Sequence, residues 1–422
     1  MSRLPPTPSP LSQSGGIDSE CAASWVPVDM PDARRLAHPI KGRGTATHIP
    51  HRFEQRGREA ADDGWSVAAP DEPNRPESGG SPALTTVTPE HARSILARND
   101  SPDIPFTWSI NPYRGCEHGC IYCYARPTHG YLNLSPGLDF ETRLTAKVNA
   151  AELLVRELSK KGHECSPINI GSATDPYQPI EREWRITRSV LEVLDRCRHP
   201  YTVITKSCGI ERDLDLLAAA AQRQQVYVMV SITTLDAVLS RKLEPRGAAP
   251  YRRLQTVRRL VDAGVPVGVN VAPIIPFLNE PEIERIIEAA ASAGALNIHY
   301  TLVRLPWEVR PLFQEWLQHH VPDQAERIWS RIRELRGGQV YDADFRLRMR
   351  GQGVWADLVA QRVRKAAARH GVPGWRMELN TAGFDAAALK GARGSDPRSS
   401  LSPPALPDAG QLSLFGEMPA PS

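Results

Sequence analysis

Long apolar runs are missing from this chain of 422 residues, and so is a strong excess of charge of one sign, because the net charge is only +3. No stretch reaches the roughly 18 apolar residues that a membrane-spanning helix needs. The first thirty residues also lack the apolar centre of a secretory signal peptide. The hydrophobic content of 41% is enough for a sizeable core. We therefore expect a globular protein of the cytoplasm.

Cysteine is also scarce, with seven residues in the chain. The number is odd, and three of the seven fall within eight positions, Cys116 to Cys123. A secreted disulfide framework uses an even number of cysteines spread along a short chain, so it explains this pattern poorly. Three clustered thiols in a reducing compartment indicate a metal site instead.

Both ends of the chain lack apolar periodicity. Residues 1–100 are rich in Pro, Gly and Ser and are predicted to be a mostly disordered extension. A basic, His-bearing stretch at 34–58 interrupts them and either wraps onto the core or stays solvated. The predicted core follows at 101–321, then a helical basic extension at 322–394 and a disordered tail at 395–422.

In the predicted core, short and continuous apolar runs alternate with amphipathic stretches. Strands that alternate with helices indicate right-handed βα units and a parallel sheet, and hence an α/β fold. Because a dinucleotide fingerprint is missing, we predict a partial (β/α)6 TIM-like barrel, with its chemistry at the carboxyl ends of the strands. The predicted strands are 106–110, 168–171, 201–205, 226–231, 265–271 and 298–303, and the predicted helices are 149–161, 186–198, 211–224, 252–263 and 280–293.

The helical extension concentrates positive charge. Between Arg327 and Gly371 the sequence has eleven Lys or Arg against four Asp or Glu. Cations contact phosphates and aromatic rings stack on bases, so this composition fits a nucleic-acid surface. Solvated Arg-rich helices with aromatic residues in their core would give the same composition. The interleaved aromatic residues are Trp329, Tyr341, Phe345 and Trp355.

The cysteine cluster has the spacing C-x3-C-x2-C, formed by Cys116, Cys120 and Cys123, directly after the first predicted strand. Thiolates favour iron-sulfur clusters or zinc. A four-iron cluster takes one protein ligand per iron, so three cysteines leave one iron open. An open metal position is where a substrate or cofactor binds. The alternative is a Cys3His zinc site that uses His118 or a distant histidine.

This spacing, with Tyr122 directly before the last cysteine, resembles the signature of the radical S-adenosylmethionine (radical SAM) enzymes. The resemblance implies a [4Fe-4S] cluster on Cys116, Cys120 and Cys123, whose open iron binds the amino and carboxylate groups of S-adenosylmethionine. It implies cleavage of that cofactor to a 5′-deoxyadenosyl radical, which abstracts hydrogen from a substrate, and an electron donor protein that reduces the cluster. A partial (β/α)6 barrel is typical of the family, so the resemblance and the element order agree.

Polar side chains follow the other predicted strands, and the resemblance gives them roles in binding the cofactor. Ser172, Thr174 and Asp175 are candidates for the cofactor's amino group, and Lys206 is a candidate for its carboxylate. For Asp175 the alternative is an Asp-Pro turn and a helix cap. The remaining predicted cofactor-binding residues are Tyr122, Ser231, Arg246 and Asn270.

Four stretches indicate which branch of the family the chain resembles: "GCEHGCIYCYAR", "GSATDPYQPIE", "LEPR" and "VNVAPIIP". They are similar to the radical SAM branch related to spore photoproduct lyase, a DNA-repair enzyme, over about half of the chain. The resemblance implies an enzyme that acts on DNA in repair or modification. The lyase carries a cysteine hydrogen donor in the region of "GSATD", where this chain has none. The alternatives are radical chemistry on RNA, protein or a metabolite, and a non-catalytic, metal-stabilised adaptor.

A short motif lies in the polar tail, within "GQLSLFGE". Gln411, Leu412, Leu414 and Phe415 match the pentapeptide by which many bacterial replication and repair proteins bind the sliding clamp. An unstructured tail can insert apolar anchors into a hydrophobic pocket while its glutamine adds a directional hydrogen bond. We therefore predict the sliding clamp as a partner. A C-terminal patch that folds back on its own domain is the alternative.

Overall fold

Ten strands and eleven α-helices are present in the part of the chain that the computed structural model describes, residues 40–54, 84–372 and 378–390. The predicted clamp motif, Gln411, Leu412, Leu414 and Phe415, lies outside these ranges. The strands are β1 (Thr86–Glu90), β2 (Leu96–Arg98), β3 (Trp108–Ile110), β4 (Tyr113–Arg114), β5 (Arg143–Lys147), β6 (Ile168–Ile170), β7 (Tyr201–Thr205), β8 (Val226–Ser231), β9 (Val267–Ile274) and β10 (Asn297–Leu302).

The larger sheet has seven strands in the order β10-β9-β8-β7-β6-β3-β2. Six of them, from β3 to β10, are parallel and follow one another in chain order, and β2 runs antiparallel to β3 at one edge. Within the described residues β10 and β2 do not pair, so the sheet stays open. The predicted α/β fold with six parallel βα units and an incomplete barrel is confirmed.

The strands are continuous apolar runs because both faces of the sheet are covered. Every residue from Val228 to Ser231 of β8 is buried, and so are the consecutive residues Val267, Gly268 and Val269 of β9. Such burial on both faces removes the alternation that marks a half-exposed strand. The predictions for β7 and β8 match the observed bounds, whereas the predicted strand 265–271 is displaced to Val267–Ile274.

The helices pack on the sheet through apolar residues spaced three and four apart. In α8, Ile283, Ile286, Ile287 and Ala290 are buried, which is one face of a helix. A short 3-10 segment precedes this helix, at Glu280–Glu282. The helices are α1 (Asp139–Thr142), α2 (Ala150–Leu158), α3 (Glu181–Trp184), α4 (Ile186–Arg196), α5 (Leu214–Gln222), α6 (Ala237–Leu243), α7 (Pro250–Asp262), α8 (Ile283–Ser292), α9 (Val309–His320), α10 (Pro322–Glu334) and α11 (Val354–Arg369).

A second, three-stranded sheet has the order β1-β5-β4. Tyr113 and Arg114 of β4 pair antiparallel with Ala146 and Thr145 of β5. Because β4 lies only two residues after β3, this pairing fixes the chain between the first parallel strand and the cysteines that follow.

Residues 40–54 belong to the basic stretch at 34–58, and they pack on the core. Arg43, Thr45 and His51 are buried. The Leu138 amide donates to the Thr47 carbonyl at 3.0 Å, and the Thr47 hydroxyl donates to Glu315 at 2.9 Å. Of the two sequence-based alternatives, wrapping onto the core therefore describes this part of the stretch.

The basic extension contains α10 and α11, close to the two helices predicted there. Its aromatic residues do not form one exposed surface. Trp329 is buried, and Trp355 packs against the main core. Of the two sequence-based alternatives, aromatic residues in the core therefore describes these two rings, because their helical spacing turns them inward. No helix in the described ranges combines the length and the apolar character that crossing a membrane requires.

Candidate active site

The three cysteines occupy one loop that begins where β4 ends. Cys116 and Cys120 are buried, Cys123 is half-buried, and all three are free thiols. The Gly119 amide donates to the Cys116 carbonyl at 3.3 Å, and the Cys123 amide donates to the Cys120 carbonyl at 3.2 Å. The chain therefore turns after each of the first two cysteines, just beyond the carboxyl end of β3.

Two glycines allow the loop to take this path. Gly115 has φ +74° and Gly119 has φ +66°, a region that residues with a Cβ rarely adopt. A Cβ at Gly119 would lie 2.6 Å from a carboxylate oxygen of Glu141, and a Cβ at Gly115 would lie 2.8 Å from the Phe140 carbonyl. Both positions therefore need glycine for conformational and for steric reasons.

A buried ion pair supports the cysteine loop from behind. The Arg126 guanidinium, which is fully buried, donates to the carbonyls of Cys120 (2.9 Å), Gly119 (3.2 Å) and Gly137 (3.0 Å). It also donates to the carboxylate of Glu141, which is fully buried too. An arginine that satisfies several backbone carbonyls in this way holds the loop in one conformation.

The segment 40–54 completes this support. The Gly44 amide donates to Glu141 at 2.8 Å, and the Arg43 guanidinium donates to the Glu141 carbonyl at 2.9 Å. A Cβ at Gly44 would lie 1.8 Å from the Gly119 carbonyl oxygen. The segment thus presses its backbone directly against the cysteine loop.

The loop after β6 is tied to the cysteine side of the sheet through Asn111. Its side-chain oxygen accepts from the Ala173 amide at 2.8 Å, and its side-chain nitrogen donates to the Ser172 hydroxyl at 3.1 Å. The Thr174 hydroxyl donates to the Tyr113 carbonyl at 3.2 Å. Ser172 and Thr174 therefore lie beside the cysteine loop, and their hydroxyls already have protein partners.

Asp175 connects the loop after β6 with the end of β7. Its carboxylate accepts from the Thr205 hydroxyl (2.8 Å), the Lys206 amide (2.7 Å) and the Tyr177 amide (2.9 Å), and it lies 3.3 Å from His118 Nδ1. Burial acts to raise its pKa, but His118 and these hydrogen bonds lower the pKa to about 2. The turn-forming alternative for Asp175 agrees with these contacts.

A charged network occupies the ends of β8 and α6. Glu244 is buried and forms an ion pair with the buried Arg253. It accepts from the Thr233 hydroxyl at 2.6 Å and from the Tyr122 hydroxyl. Burial acts to raise the pKa of Glu244, but Arg253 and the nearby Lys206 lower it to about 2. The aromatic residue of the cysteine motif is thereby anchored to a carboxylate that stays ionised.

The ammonium group of Lys206 lies between these features. It is 6.0 Å from the centre of the Tyr122 ring. Burial acts to lower its pKa, but the Cys120 sulfur, when it is deprotonated, and the Glu244 carboxylate raise the pKa above the ordinary value. In the described residues the ammonium makes neither an ion pair nor a hydrogen bond of its own. A cation held without a direct partner beside the cysteine loop is available to an anionic ligand.

Burial also changes the cysteines themselves. It raises the pKa of Cys116 well above the ordinary value and that of Cys120 to about 12, although the charge of Lys206 acts against the rise at Cys120. Both thiols are therefore protonated at neutral pH until a metal replaces the proton.

Of the other predicted residues, Ser231 ends β8, Asn270 lies within β9, and Arg246 follows α6. Ser231 and Asn270 are register partners on β8 and β9, and the Ser231 carbonyl accepts from Arg253 at 3.0 Å. Arg246 forms an ion pair with Glu117 at 3.3 Å, and its amide donates to the His118 carbonyl. Arg246 thus contacts the cysteine loop directly, whereas Ser231 is connected with it through Arg253 and Glu244.

Comparison with known proteins agrees with this geometry. The family model described as the radical SAM superfamily matches residues 110–290. An uncharacterized protein of Mycobacterium tuberculosis is 35% identical over 234 residues, which are 55% of this chain and 68% of that protein. The chain belongs to the radical SAM superfamily. The family uses a [4Fe-4S] cluster and S-adenosylmethionine, and these are the cofactors of this radical SAM protein.

More distant similarities are also found. An uncharacterized protein of Methanocaldococcus jannaschii is 29% identical over 219 residues, which are 52% of this chain and 78% of that protein. The structure of spore photoproduct lyase complexed with dinucleoside spore photoproduct has a TM-score of 0.47 and 16% identity, and the match covers 70% of this radical SAM chain and 82% of that chain. This structural likeness is too distant to assign a substrate.

Sequence reasoning missed the residues that support the radical SAM site. Arg126 ends the motif "CYAR", and Glu244 is the second residue of "LEPR". A charged residue inside such a motif could have indicated a supporting role. Asn111 precedes the cysteines by five positions and gave no signal of its own. Glu141 and Gly44 act through contacts far apart in sequence, which spacing does not reveal.

Proposed function

We propose that this radical SAM enzyme acts on DNA in repair or modification, with Cys116, Cys120 and Cys123 as the ligands of its cluster. The observation that carries the proposal is the cysteine loop, fixed at the carboxyl end of β3 beside the unpartnered ammonium of Lys206. An active site at the carboxyl ends of parallel strands is the rule for barrels of this type.

The donor set fits a four-iron cluster better than a single ion. Among residues 40–54, 84–372 and 378–390, no three His, Cys, Asp or Glu side chains are arranged so that they could hold one metal ion. A four-iron cluster does not require three side chains to meet at one metal atom, because each cysteine binds a different iron. Within the same ranges, His118 does not complete such a group with the three cysteines, as the Cys3His zinc alternative requires.

Each residue of the loop has a task in this proposal. The three thiols lose their protons to bind iron, and Arg126 and Glu141 keep the loop fixed so that the sulfur positions are set before the cluster binds. A bound cluster, reduced by an electron donor protein, would supply one electron for cleavage of S-adenosylmethionine to methionine and a 5′-deoxyadenosyl radical, which would abstract hydrogen from the substrate. The buried surroundings of Cys116 and Cys120 keep water away from the site.

Lys206 is proposed to bind the carboxylate of S-adenosylmethionine. It is positively charged at neutral pH, and no protein carboxylate in the described residues forms an ion pair with it. Glu244 holds Tyr122 in place and, with Arg253, balances the local charge. The other residues proposed to line the cofactor site are Ser172, Thr174, Asp175, Ser231, Arg246 and Asn270.

The proposal of DNA rests on the motifs shared with the branch related to spore photoproduct lyase and on positive charge in the extension. Several cations there form ion pairs, including Arg348 with Asp103 and Arg362 with Glu284. Cations without a carboxylate partner in the described part of the chain remain for phosphates. The exposed cations among them are Arg327, Arg350, Arg364, Lys365, Arg369 and Lys390.

Anaerobic incubation of the reduced protein with S-adenosylmethionine and DNA tests the proposal. We expect release of 5′-deoxyadenosine, and we expect DNA binding that weakens as the salt concentration rises. Catalytic release without any DNA binding would contradict the proposed substrate. If no 5′-deoxyadenosine were released and the protein held zinc in place of iron, the proposed radical chemistry would be contradicted.

We also propose that the tail binds the sliding clamp through Gln411, Leu412, Leu414 and Phe415. A double substitution, Leu414→Ala with Phe415→Ala, removes two apolar anchors, so we expect clamp binding to be lost in a pull-down with purified clamp. A matched change of two polar tail residues, Ser399→Ala with Ser400→Ala, serves as the control. If the anchor variant bound the clamp like the wild type, the tail proposal would be wrong.

A further inference from the structure

An exposed group of aromatic rings surrounds Arg52. The Arg52 guanidinium carbon lies 4.3 Å from the centre of the Trp307 ring, 4.6 Å from Phe53 and 5.6 Å from Tyr131. The Tyr341 ring lies 6.0 Å from Trp307. We call Phe53, Tyr131, Trp307 and Tyr341 the aromatic patch.

The patch faces solvent although it is built of large rings. Tyr131 is 69% exposed, Trp307 57% and Phe53 48%. Single exposed apolar side chains are common on proteins, but several contiguous rings mark an interaction site. The patch therefore needs a partner that offers flat apolar faces.

The structure holds these rings in place by specific bonds. Arg52 forms an ion pair with Glu308 at 3.1 Å, and the Arg52 amide donates to the same carboxylate at 3.0 Å. Trp307 has φ +43°, a backbone region that bulky residues almost never occupy. Strain at an exposed aromatic residue indicates that its position serves a function.

Chain connections lead from the patch to the cysteine loop. Tyr124 directly follows Cys123, and the Arg304 guanidinium lies 4.6 Å from the centre of its ring. Trp307 follows Arg304 by three residues, and Tyr131 stands in the 3-10 helix Arg126–Leu132 that leaves the cysteine loop. Short chain connections thus keep Trp307 and Tyr131 within a few residues of the side chains that follow the cysteine loop.

Two arginines lie at or near the aromatic patch, and they differ in whether their charge is already paired. The charge of Arg52 is already neutralised by Glu308, so Arg52 supports the rings rather than an anion. Arg310 is exposed, its amide donates to the Trp307 carbonyl, and it forms no ion pair within the described ranges. A ligand with flat rings and a negatively charged backbone would match both features.

We infer that the aromatic patch binds an unpaired stretch of nucleic acid by base stacking, beside the nucleotide on which the enzyme acts. This inference rests on the proposed nucleic-acid substrate and deepens it. Duplex DNA hides the faces of its bases, so rings bind single strands by stacking and largely without regard to sequence. Arg310 contacts a phosphate in this arrangement.

Fluorescence anisotropy of the anaerobically purified holoprotein provides the test. The probes are labelled oligothymidylate and oligouridylate of about twelve nucleotides, within the usual range of site sizes, and a duplex of the same length. We expect single strands to bind more tightly than the duplex at equal salt. The DNA and RNA probes show which backbone the protein prefers.

The variants separate stacking from charge. Trp307→Ala and Tyr131→Ala should each weaken single-strand binding by about tenfold, with no change in the slope of log affinity against log salt. Trp307→Phe should keep most of the affinity. Arg310→Ala should reduce that slope by about 0.7. Tyr251→Ala, at a ring that is 62% exposed on α7, is the matched control and should bind like the wild type.

The outcomes distinguish this inference from the proposal on which it rests. If the wild type bound single strands and both Trp307→Ala and Tyr131→Ala bound equally well, the patch would have no role and the proposed function would stand. If the wild type released 5′-deoxyadenosine but bound no polynucleotide, the nucleic-acid substrate and the patch would both be wrong.

Discussion

The two ends of strand β7 bury titratable groups of opposite kinds. At the amino end, His199 lies 3.0 Å from His163 between their Nε2 atoms, and Phe384 packs against both rings. Burial lowers the pKa of His199 to about 4, so its buried imidazole is uncharged at neutral pH. At the carboxyl end, Asp175 and Lys206 stay charged beside the cysteines.

This difference in charge indicates that the two ends of β7 have different roles. A neutral, aromatic-capped end contributes stability and needs no ligand. Charges kept at the other end cost desolvation energy, which only bonds such as those to Asp175 offset. In a barrel of this kind, function belongs to the carboxyl ends of the strands and stability to the amino ends. Changes at the two ends should therefore have different consequences.

The largest difference is expected for the cysteines. Cys120→Ala, in the loop at the carboxyl end, removes one of three cluster ligands, so bound iron and 5′-deoxyadenosine release should both be lost. Cys197→Ala, at the amino end of the sheet, should keep both. Iron and sulfide assays with chromatography of the nucleoside check this. Equal loss of iron in the two variants would remove the distinction between the ends.

A smaller effect is expected when the charge network is broken. Glu244→Gln leaves the buried Arg253 without its counter-ion, and we expect a loss of about 3 kcal/mol in the free energy of unfolding, measured with urea. Glu192→Gln removes the exposed partner of Arg188 and should cost less than about 1 kcal/mol. Similar losses in both variants would show that the network does not carry the stability assigned to it.

A smaller effect still is expected when the proposed cofactor contact of Lys206 is removed. Lys206→Met removes a charge-assisted contact with a carboxylate, so S-adenosylmethionine should bind at least about tenfold more weakly. Lys206→Arg should restore part of the affinity. Lys160→Met, at an exposed lysine of the loop after α2, is the control for lost charge. Calorimetric titration measures all four proteins, and unchanged affinity in Lys206→Met would contradict the contact.

Acid should affect the amino end first. The pKa of His199 is about 4 in the folded state and about 6.5 in the unfolded state, so the unfolded chain takes up the proton first. This contribution is present above pH 6.5 and is lost as the pH falls, by about 2 kcal/mol at pH 4.5. Asp175, with a folded pKa of about 2, is affected only below pH 4. Urea unfolding of the wild type and His199→Gln should converge toward pH 4.5; parallel curves would contradict this assignment.

Much of the fold could be predicted from the sequence, because parallel strands buried on both faces leave continuous apolar runs. The runs for β7 and β8 gave bounds that the structure repeats. The cysteine loop was also predictable, since its ligands lie within eight residues. For Trp329 and Trp355 the sequence left surface and core open, because composition alone does not say which face of a helix a ring occupies.

The support of the site could not be predicted in the same way. Gly44 meets Gly119, and Arg126 meets Glu141, through contacts that depend on the folded chain. The aromatic patch joins residues from three distant segments, at Arg52, Tyr131 and Trp307. No local pattern links such positions, so only the structure brings them together.

Electron paramagnetic resonance of the reduced, anaerobically purified protein, before and after addition of S-adenosylmethionine, tests the central claim most directly. We expect the signal of a reduced [4Fe-4S] cluster, with about four iron and four sulfide per chain. We also expect this signal to change once S-adenosylmethionine binds the open iron. Zinc in place of iron, or a signal that the cofactor leaves unchanged, would contradict it.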